Sequence, residues 1–190
     1  MDTKIRCGWV KLNNPLYVHY HDEEWGKPQH DEKKHFEYLL LETFQAGLSW
    51  ETILNRREAF RAAFDEFDAQ TISFYTDEDV KKLLENPKII RSENKIRSAI
   101  QNAKVFLHIQ SEWGSFDAYI WHFTNHNVID SKPTSSKDLL ASSPLSILIS
   151  QDLKMRGMKF VGPVIVYAHL QAIGVINDHL VSCFCRHSKV

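Results

Sequence analysis

The segment from Leu153 to Cys185 constrains the fold more than any other part of the chain. Its sequence, LKMRGMKFVGPVIVYAHLQAIGVINDHLVSCFC, predicts the end of one helix, a tight turn at 160–163 and a second helix. Gly162 is expected to take the positive φ that a sharp turn needs, and Pro163 suits the first position of a helix. Backbone N–H groups gathered at such a turn can hold a phosphate, although the bare pattern fits any turn between two helices.

Length and composition indicate a soluble globular protein. The 190 residues are 43% apolar and 25% charged, which suits one domain or two small lobes. No apolar run approaches the roughly 18 to 20 residues of a membrane span, and the N-terminus lacks the apolar core of a signal peptide. The three cysteines are an odd number without an export signal, so we expect a cytoplasmic protein with reduced thiols.

The small net charge of -1 conceals an uneven distribution. Residues 22–79 contain 15 acidic and 6 basic side chains, whereas residues 81–104 contain 7 basic and 2 acidic ones. The second half of the chain is therefore suited to meet a polyanion. Ordinary solvated helix faces explain the same pattern about equally well, so charge alone does not decide.

Apolar periodicity predicts an all-α chain without internal repeats. Asp31 is expected to cap a first helix that is apolar nearly all round, and Ser49 to cap a second over 50–64. A polar connection is expected at 65–73 and a flexible loop at 125–137. Further helices are predicted at 77–84, 94–110, 116–123 and from Ser143-Pro144 into the turn.

Glu42 is the anomaly of the first helix, because it lies among Leu39, Leu40 and Leu41. Such a carboxylate reaches solvent, binds a cation or carries a raised pKa. Residues 1–30 are a second anomaly, since they are rich in aromatic and imidazole groups, while two prolines discourage long regular elements. Aromatic residues in an irregular segment cover a core or line a pocket, and covering is the commoner role.

Both ends of the chain contain cysteine and histidine residues, the types that commonly bind metals. His179 and Cys183 are four apart, so on a helix both would face the same side, and Cys7 and His21 lie near the start. Two cysteines and two histidines would form a closed structural zinc site that joins the termini. His19 or Cys185 could replace one of these four ligands. Alternatively, Cys183 and Cys185 are buried apolar thiols that bind no metal.

Five motifs in order resemble the 3-methyladenine DNA glycosylase I family, part of the helix-hairpin-helix DNA repair superfamily. They are RCGWV at 6–10, YHDEEWG at 20–26, LETFQAGLSW at 41–50, KFVGP at 159–163 and NDHLVSC at 177–183. The resemblance implies a single all-α glycosylase domain over 1–190, with two helical lobes and the helix-hairpin-helix at about 147–173. It spans nearly the whole chain, and five separated motifs make it specific.

The resemblance also implies roles for individual residues. One structural Zn²⁺ per chain would be held by Cys7, His21, His179 and Cys183. The base pocket would comprise Trp9, Tyr17, Tyr20, Trp50 and the catalytic Glu42. The DNA backbone would meet Lys159, Phe160, Val161, Gly162 and Pro163.

The implied activity is base-excision repair of alkylated double-stranded DNA by a monomeric hydrolase. The enzyme would flip 3-methyladenine out of the duplex, hydrolyse its N-glycosidic bond, release the free base and leave an abasic site. Methylation makes the nucleotide cationic, so electron-rich rings and an ionised Glu42 would favour it over adenine. Asp178 lies 16 residues after Gly162, where many relatives in the superfamily place an essential Asp; here it is expected to cap a helix or support a zinc ligand.

Two other classes remain open at this point. One is a zinc-stapled module that binds alkylated or distorted DNA without catalysis, which a Glu42→Gln substitution would distinguish from the enzyme. The other is a zinc hydrolase, which needs an open coordination position that four protein ligands would fill.

Overall fold

The computed structural model describes residues 4–187, and these residues are mostly helical. Their ten α-helices are α1 (Pro15–Glu23), α2 (Glu32–Gln45), α3 (Trp50–Leu54), α4 (Arg57–Ala63), α5 (Ala69–Ser73), α6 (Asp77–Glu85), α7 (Glu93–Trp113), α8 (Phe116–His122), α9 (Pro144–Met155) and α10 (Pro163–Ala172). Three short 3₁₀ helices lie at Asp65–Phe67, Ser136–Asp138 and Phe184–His187. The predicted domain extends three residues beyond the described part at each end.

Helix α2 is at the centre of the fold, because it packs against α3, α7, α8 and α10. Every residue from His35 to Phe44 is buried, as expected for a helix that is apolar nearly all round. Aromatic pairs fill the space on either side: Phe44 meets Phe60 at 4.8 Å between ring centroids, and Phe36 meets Phe106 at 5.1 Å. A side chain on α2 is therefore held in place by several neighbouring elements.

The predicted helix starts are confirmed by side-chain caps. Asp31 accepts a hydrogen bond from the Lys34 N–H, and Ser49 accepts one from the Thr52 N–H. The Ser143 hydroxyl likewise accepts from the Ser146 N–H. These caps satisfy N–H groups that have no partner inside a helix.

Three expectations about local structure are wrong. The aromatic N-terminus is not irregular throughout, because Pro15 occupies the first turn of α1, where its missing N–H costs nothing. The helix predicted over 50–64 is two helices, since the chain turns at Asn55 and Arg56 and α4 starts afresh. The supposed polar connection at 65–73 contains a 3₁₀ turn and α5, because Phe67 and Ile72 are buried in the core.

The turn between α9 and α10 has a different geometry from the one predicted. Gly162 has an extended backbone with φ of -64°, and the left-handed residues are Gly157 at 99° and Phe160 at 55°. A left-handed conformation at a phenylalanine is strained, so other contacts must hold it. The side-chain amide of Asn102 exchanges two hydrogen bonds with the backbone of Lys159, at 2.8 and 3.0 Å.

The segment after α8 is anchored, in contrast to the flexible loop expected there. Strands β1 (Ile129–Asp130) and β2 (Ile176–Asn177) form a short parallel pair, a small addition to the all-α prediction. Further along, the carbonyl of Pro133 accepts a hydrogen bond from the N–H of Val181 at 2.9 Å. Within residues 4–187, no helix has both the length and the apolarity needed to cross a bilayer.

Candidate functional site

A cavity of about 290 Å³ opens between the N-terminal segment, α2 and α10. It contains all five residues assigned to the base pocket from sequence: Trp9, Tyr17, Tyr20, Glu42 and Trp50. They are brought together from four places in the chain, namely the turn before α1, α1 itself, α2 and the first position of α3. The size is at the lower end of the range for small-molecule sites, which begins at roughly 300 Å³, and suits a small ligand.

Glu42 is the main polar feature of this cavity. Its side chain is 2% exposed, and its Oε2 atom has no hydrogen-bond partner. Burial raises the pKa of Glu42 from 4.5 to about 8. Of the three states that the sequence left open, this burial excludes exposure to solvent, and the raised pKa favours a protonated carboxyl near neutral pH over the ionised form expected from sequence.

Glu37 shows what an ordinary buried carboxylate looks like on the same helix. It is 1% exposed, but it forms ion pairs with Lys34, Arg57 and Arg61 at 2.6 to 2.9 Å. The positive charge of Arg57 is a main reason why the pKa of Glu37 lies below its usual value despite burial. A buried acid on α2 is therefore given partners when its role is structural, which makes the unpaired Glu42 exceptional.

Trp50 contributes a second polar atom without a partner. Its indole Nε1 is buried and donates to no group among the described residues. The ring faces that of Tyr20 at 5.1 Å between centroids and a tilt of 49°. The cavity thus combines flat aromatic surfaces with an unused donor and an unused carboxyl, which are the features that orient a planar polar ligand.

A lysine from a neighbouring helix fixes the end of α2 that carries Glu42. The ammonium group of Lys95, on α7, donates to the carbonyls of Phe44 and Ala46 at 2.8 and 2.6 Å. These are carbonyls at a helix end, where a positive charge is favourable. Burial lowers the pKa of Lys95, so this cation has been partly removed from water to hold the pocket end of α2.

Sequence reasoning did not identify the remaining lining residues. Trp25 and Gln45 lie inside two of the quoted motifs, so position within a motif could have suggested them. The others come from α10 or from the segment before α9, and their sequence pattern gives no sign of a site. These are Leu139, Leu140, Ala168 and Gln171.

A second cluster lies next to the cavity and joins the two ends of the described chain. It contains the predicted ligands Cys7, His21, His179 and Cys183, each at most 2% exposed, with all ligand atoms within 4.8 Å of one another. The Sγ of Cys183 lies 3.4 Å from His21 Nε2 and 3.5 Å from His179 Nδ1. Tetrahedral zinc, with bonds of about 2.3 Å to sulfur and 2.0 Å to nitrogen, would separate S and N by about 3.5 Å.

The outer nitrogens of both imidazoles are oriented by protein groups. His179 Nε2 lies 3.0 Å from the carbonyl oxygen of Trp25, and His21 Nδ1 lies 2.8 Å from Asp22 Oδ1. Arg6 in turn donates to both oxygens of Asp22 at 2.7 to 3.0 Å. Because each outer nitrogen donates its proton to an oxygen, the inner nitrogen keeps its lone pair for a metal ion.

The backbone around His179 and Cys183 differs from the helix on which their spacing was interpreted. His179 and Cys183 do not lie on a helix; they flank a turn in which the Cys183 N–H donates to the Leu180 carbonyl at 2.8 Å. Gly26 is essential to the packing, since its φ is 74° and a Cβ there would lie 2.9 Å from the His179 ring. The two substitute ligands fall outside the set of four: His19 is exposed, and Cys185 lies 3.8 Å from the outer nitrogen of His21.

Trp25 contacts both sites. The carbonyl of Trp25 is bonded to His179, and its ring meets the His179 ring edge-on at 4.7 Å. The same indole lines the cavity and packs against Trp9 at 4.8 Å. The buried cluster therefore supports one wall of the cavity.

The α9–α10 turn forms a separate surface. Val161 is fully buried and its carbonyl accepts from the Ser150 hydroxyl at 2.6 Å, whereas Phe160 is 40% exposed and Lys159 is also exposed. Gly162 and Pro163 then lead directly into α10. None of the five residues 159–163 lines the cavity around Glu42.

Comparison with known proteins identifies a family that matches this chain. The profile of the methyladenine glycosylase family matches residues 9–187. DNA-3-methyladenine glycosylase 1 of Escherichia coli (strain K12) is 43% identical over 95% of this chain and 96% of its own length. DNA-3-methyladenine glycosylase of Haemophilus influenzae (strain ATCC 51907 / DSM 11121 / KW20 / Rd) is 38% identical over 96% and 98%.

Solved structures show the same similarity. A variant of 3-methyladenine DNA glycosylase I in complex with 3-methyladenine superposes with a TM-score of 0.92. It is 33% identical to this chain, and the match covers 95% of this chain and 97% of that one. The fold is thus shared with a protein that has been solved in complex with 3-methyladenine.

Proposed function

Because the chain belongs to the methyladenine glycosylase family, we propose that it is a DNA-3-methyladenine glycosylase. It hydrolyses the N-glycosidic bond of 3-methyladenine in alkylated double-stranded DNA, releases the free base and leaves an abasic site. The observation that carries this proposal is Glu42, a buried carboxyl without a protein partner in an aromatic cavity. Such a group is costly to fold and is retained where it has a ligand to meet.

The cavity would select the damaged base by its charge distribution. A flipped 3-methyladenine nucleotide is cationic, so its approach lowers the pKa of Glu42 and favours the carboxylate. The rings of Tyr20 and Trp50 offer the flat, electron-rich surfaces on which such a base stacks. Trp9 and Tyr17 form the rest of the aromatic wall, with ring centroids 5.6 Å apart.

Little acid catalysis is required, because methylation at N3 already weakens the glycosidic bond. Glu42 would stabilise positive charge on the nucleotide as the bond breaks. Neutral adenine gains nothing from that carboxylate and keeps a strong bond. Selection within the cavity therefore supplies most of the specificity.

For the cluster at the joined termini, we propose one structural Zn²⁺ held by Cys7, His21, His179 and Cys183. The two thiols, two imidazoles and their separations fit a closed tetrahedral site. The ion would stabilise the fold and orient the ligands, with no open position for a reacting water. This argues against the zinc hydrolase alternative.

The α9–α10 turn is proposed to position the protein on DNA. In this reading residues 147–173 form the helix-hairpin-helix of a single glycosylase domain. Exposed Lys159 and the N-terminal N–H groups of α10, just after Gly162 and Pro163, would contact one phosphate without reading sequence. We further propose that the enzyme acts as a monomer in the cytoplasm.

The test is release of free base from methylated duplex DNA, resolved by chromatography. The wild type should release 3-methyladenine and leave 7-methylguanine in place. Glu42→Gln should slow release about 100-fold or more, by analogy with the loss of other charge-stabilising groups. Glu58→Gln, a change at an exposed carboxylate outside the cavity, should leave release unchanged.

A folded wild type that binds methylated DNA but releases no base would contradict the enzymatic proposal. That result would favour the non-catalytic module that binds alkylated or distorted DNA. Equal release by the wild type and Glu42→Gln would preserve the activity but remove Glu42 from it.

A further inference from the structure

Asp178 is a buried carboxylate whose bonding differs from both roles expected of it. It caps no helix, and its partners are three donors rather than a metal ligand. Its Oδ2 accepts from the Tyr167 hydroxyl at 2.7 Å and from the Gln171 side-chain amide at 2.6 Å, and its Oδ1 accepts from the Ser131 hydroxyl. These partners come from α10 and from the segment after β1, so the carboxylate is fixed from two sides.

This bonding determines how the amide of Gln171 is oriented. An ionised carboxylate only accepts hydrogen bonds, so Gln171 must direct its NH₂ group toward Asp178. The carbonyl oxygen Oε1 then points away from Asp178. Among residues 4–187 it receives no hydrogen bond, and the half-buried Gln171 side chain lines the cavity that contains Glu42.

Gln171 thus presents an acceptor in a cavity whose other polar atoms are also unused. A hydrogen bond to a charged group polarises the amide and makes its carbonyl a better acceptor. Glu42 and Trp50 reach the cavity from α2 and α3, whereas Gln171 reaches it from α10. The Gln171 acceptor would therefore contact a part of the ligand that the polar groups on α2 and α3 do not reach.

We propose that Gln171 accepts a hydrogen bond from the flipped nucleotide or its attacking water, and that Asp178 is a positioning residue acting through Gln171. This inference rests on the proposed glycosylase activity. The donor is either the exocyclic amine of 3-methyladenine or the water that adds to C1′. In that reaction the C1′–N9 bond breaks, its electron pair leaves with the base, the water oxygen bonds to C1′ and one proton passes to solvent.

Two measurements on Gln171→Met distinguish the two donors. One is the single-turnover rate of base release from methylated duplex DNA, and the other is the affinity for free 3-methyladenine, followed by fluorescence of the cavity tryptophans. We expect the rate to fall about tenfold, as for a lost hydrogen bond in a buried site. Weaker base binding would identify the amine as the donor, and unchanged binding would identify the water.

The positioning role of Asp178 is tested by a double-mutant cycle. Asp178→Asn should slow release about as much as Gln171→Met, because the amide of Gln171 is then free to turn. The double variant should be no slower than either single variant, since both changes remove one interaction. Metal content and melting temperature, measured on the same samples, separate this effect from damage to the neighbouring cluster.

Tyr167→Phe is the matched control. It removes another bond to the same Asp178 oxygen but leaves that of Gln171, so its rate should stay within about twofold of the wild type. If Gln171→Met releases and binds base as the wild type does, the inference is overturned. Fully additive effects, or an equal loss in Tyr167→Phe, would overturn the positioning role. A wild type that releases no base would instead overturn the proposed function itself.

Discussion

The buried cluster and the cavity beside it handle polar groups in opposite ways. In the cluster, four ligand atoms converge and both outer imidazole nitrogens have oxygen partners. In the cavity, the Glu42 Oε2 and Trp50 Nε1 atoms have none, although both are buried. When every polar group has a protein partner, the site needs only one bound ion to be complete. Buried polar atoms without a protein partner indicate instead a site that binds a ligand for part of the time.

The largest effect should come from breaking the cluster. Cys183→Ala removes one of four ligands, and structural zinc sites contribute about 10 kcal/mol or more to folding. We expect loss of the ion and of a soluble, cooperatively melting protein. Metal analysis and thermal unfolding measure both, with one equivalent of zinc expected in the wild type.

Cys185→Ala is the control for that substitution. Cys185 is only two residues from Cys183, but it lies against the outer nitrogen of His21. This variant should retain the ion and nearly the same melting temperature. A metal-free wild type that melts as the loaded protein does would contradict the cluster's proposed role.

The next effect separates partnered from unpartnered acids on α2. Glu37→Gln leaves Arg57 and Arg61 without their shared carboxylate, and breaking a buried ion pair costs about 3 to 5 kcal/mol. Glu42→Gln breaks no bond at its Oε2 atom and should not lower stability. Urea unfolding of the two variants compares them directly, and an equal loss in both would show that Glu42 has a structural partner.

A smaller effect is expected from Lys95→Met, which keeps most of the apolar part of the side chain but removes two hydrogen bonds to the end of α2. We expect a loss of about 2 kcal/mol, as for hydrogen bonds that involve a charge. Urea unfolding again provides the measurement. Lys104→Met, at an exposed position on the same helix, should change stability by less than about 0.5 kcal/mol; a similar loss in both variants would contradict the assignment.

The last comparison concerns the pH dependence that Glu42 adds to stability. Its pKa is about 8 in the folded protein and 4.5 without burial, so between these values only the unfolded chain releases the proton. Stability should therefore fall as pH rises from about 4.5 to 8, by of order 1 kcal/mol per pH unit, and level off above. The difference between Glu42→Gln and the wild type isolates this component, because both proteins share every other titrating group. A difference that does not change between about pH 5.5 and 7.5 would show that Glu42 is ionised in the folded protein over that range.

Sequence alone predicted those features that depend on residue type and on the order of residues in the chain. The four residues predicted as metal ligands come together in the structure, although His179 and Cys183 do not share a helix. The capped helix starts were also predictable, since a cap is a local interaction. The strained residue of the turn was not, because the backbone on either side of Phe160 is held by the side chains of Asn102 and Ser150, which no local pattern reveals.

Long-range contacts also explain what was missed in the cavity. Glu42 stood out because its neighbours are leucines, whereas Leu140 and Gln171 lie in unremarkable surroundings and reach the cavity only through the tertiary fold. The loop at 125–137 looked flexible because its anchors, β2 and Val181, lie about 50 residues away. The assignment of 147–173 as a helix-hairpin-helix and the role of each site residue stay predictions.

Trp25 contacts both sites and can therefore couple the ligands proposed for them. Its carbonyl oxygen is bonded to His179, and Trp25 also lines the cavity. A change in its position would therefore affect the proposed metal site and the proposed base pocket. If an ion favours the setting of Trp25 that suits the base, a bound base must favour the ion by the same factor. At equilibrium a chelator would then remove less of the metal in the presence of 3-methyladenine, and the supply of metal would set how much of the protein is competent for repair.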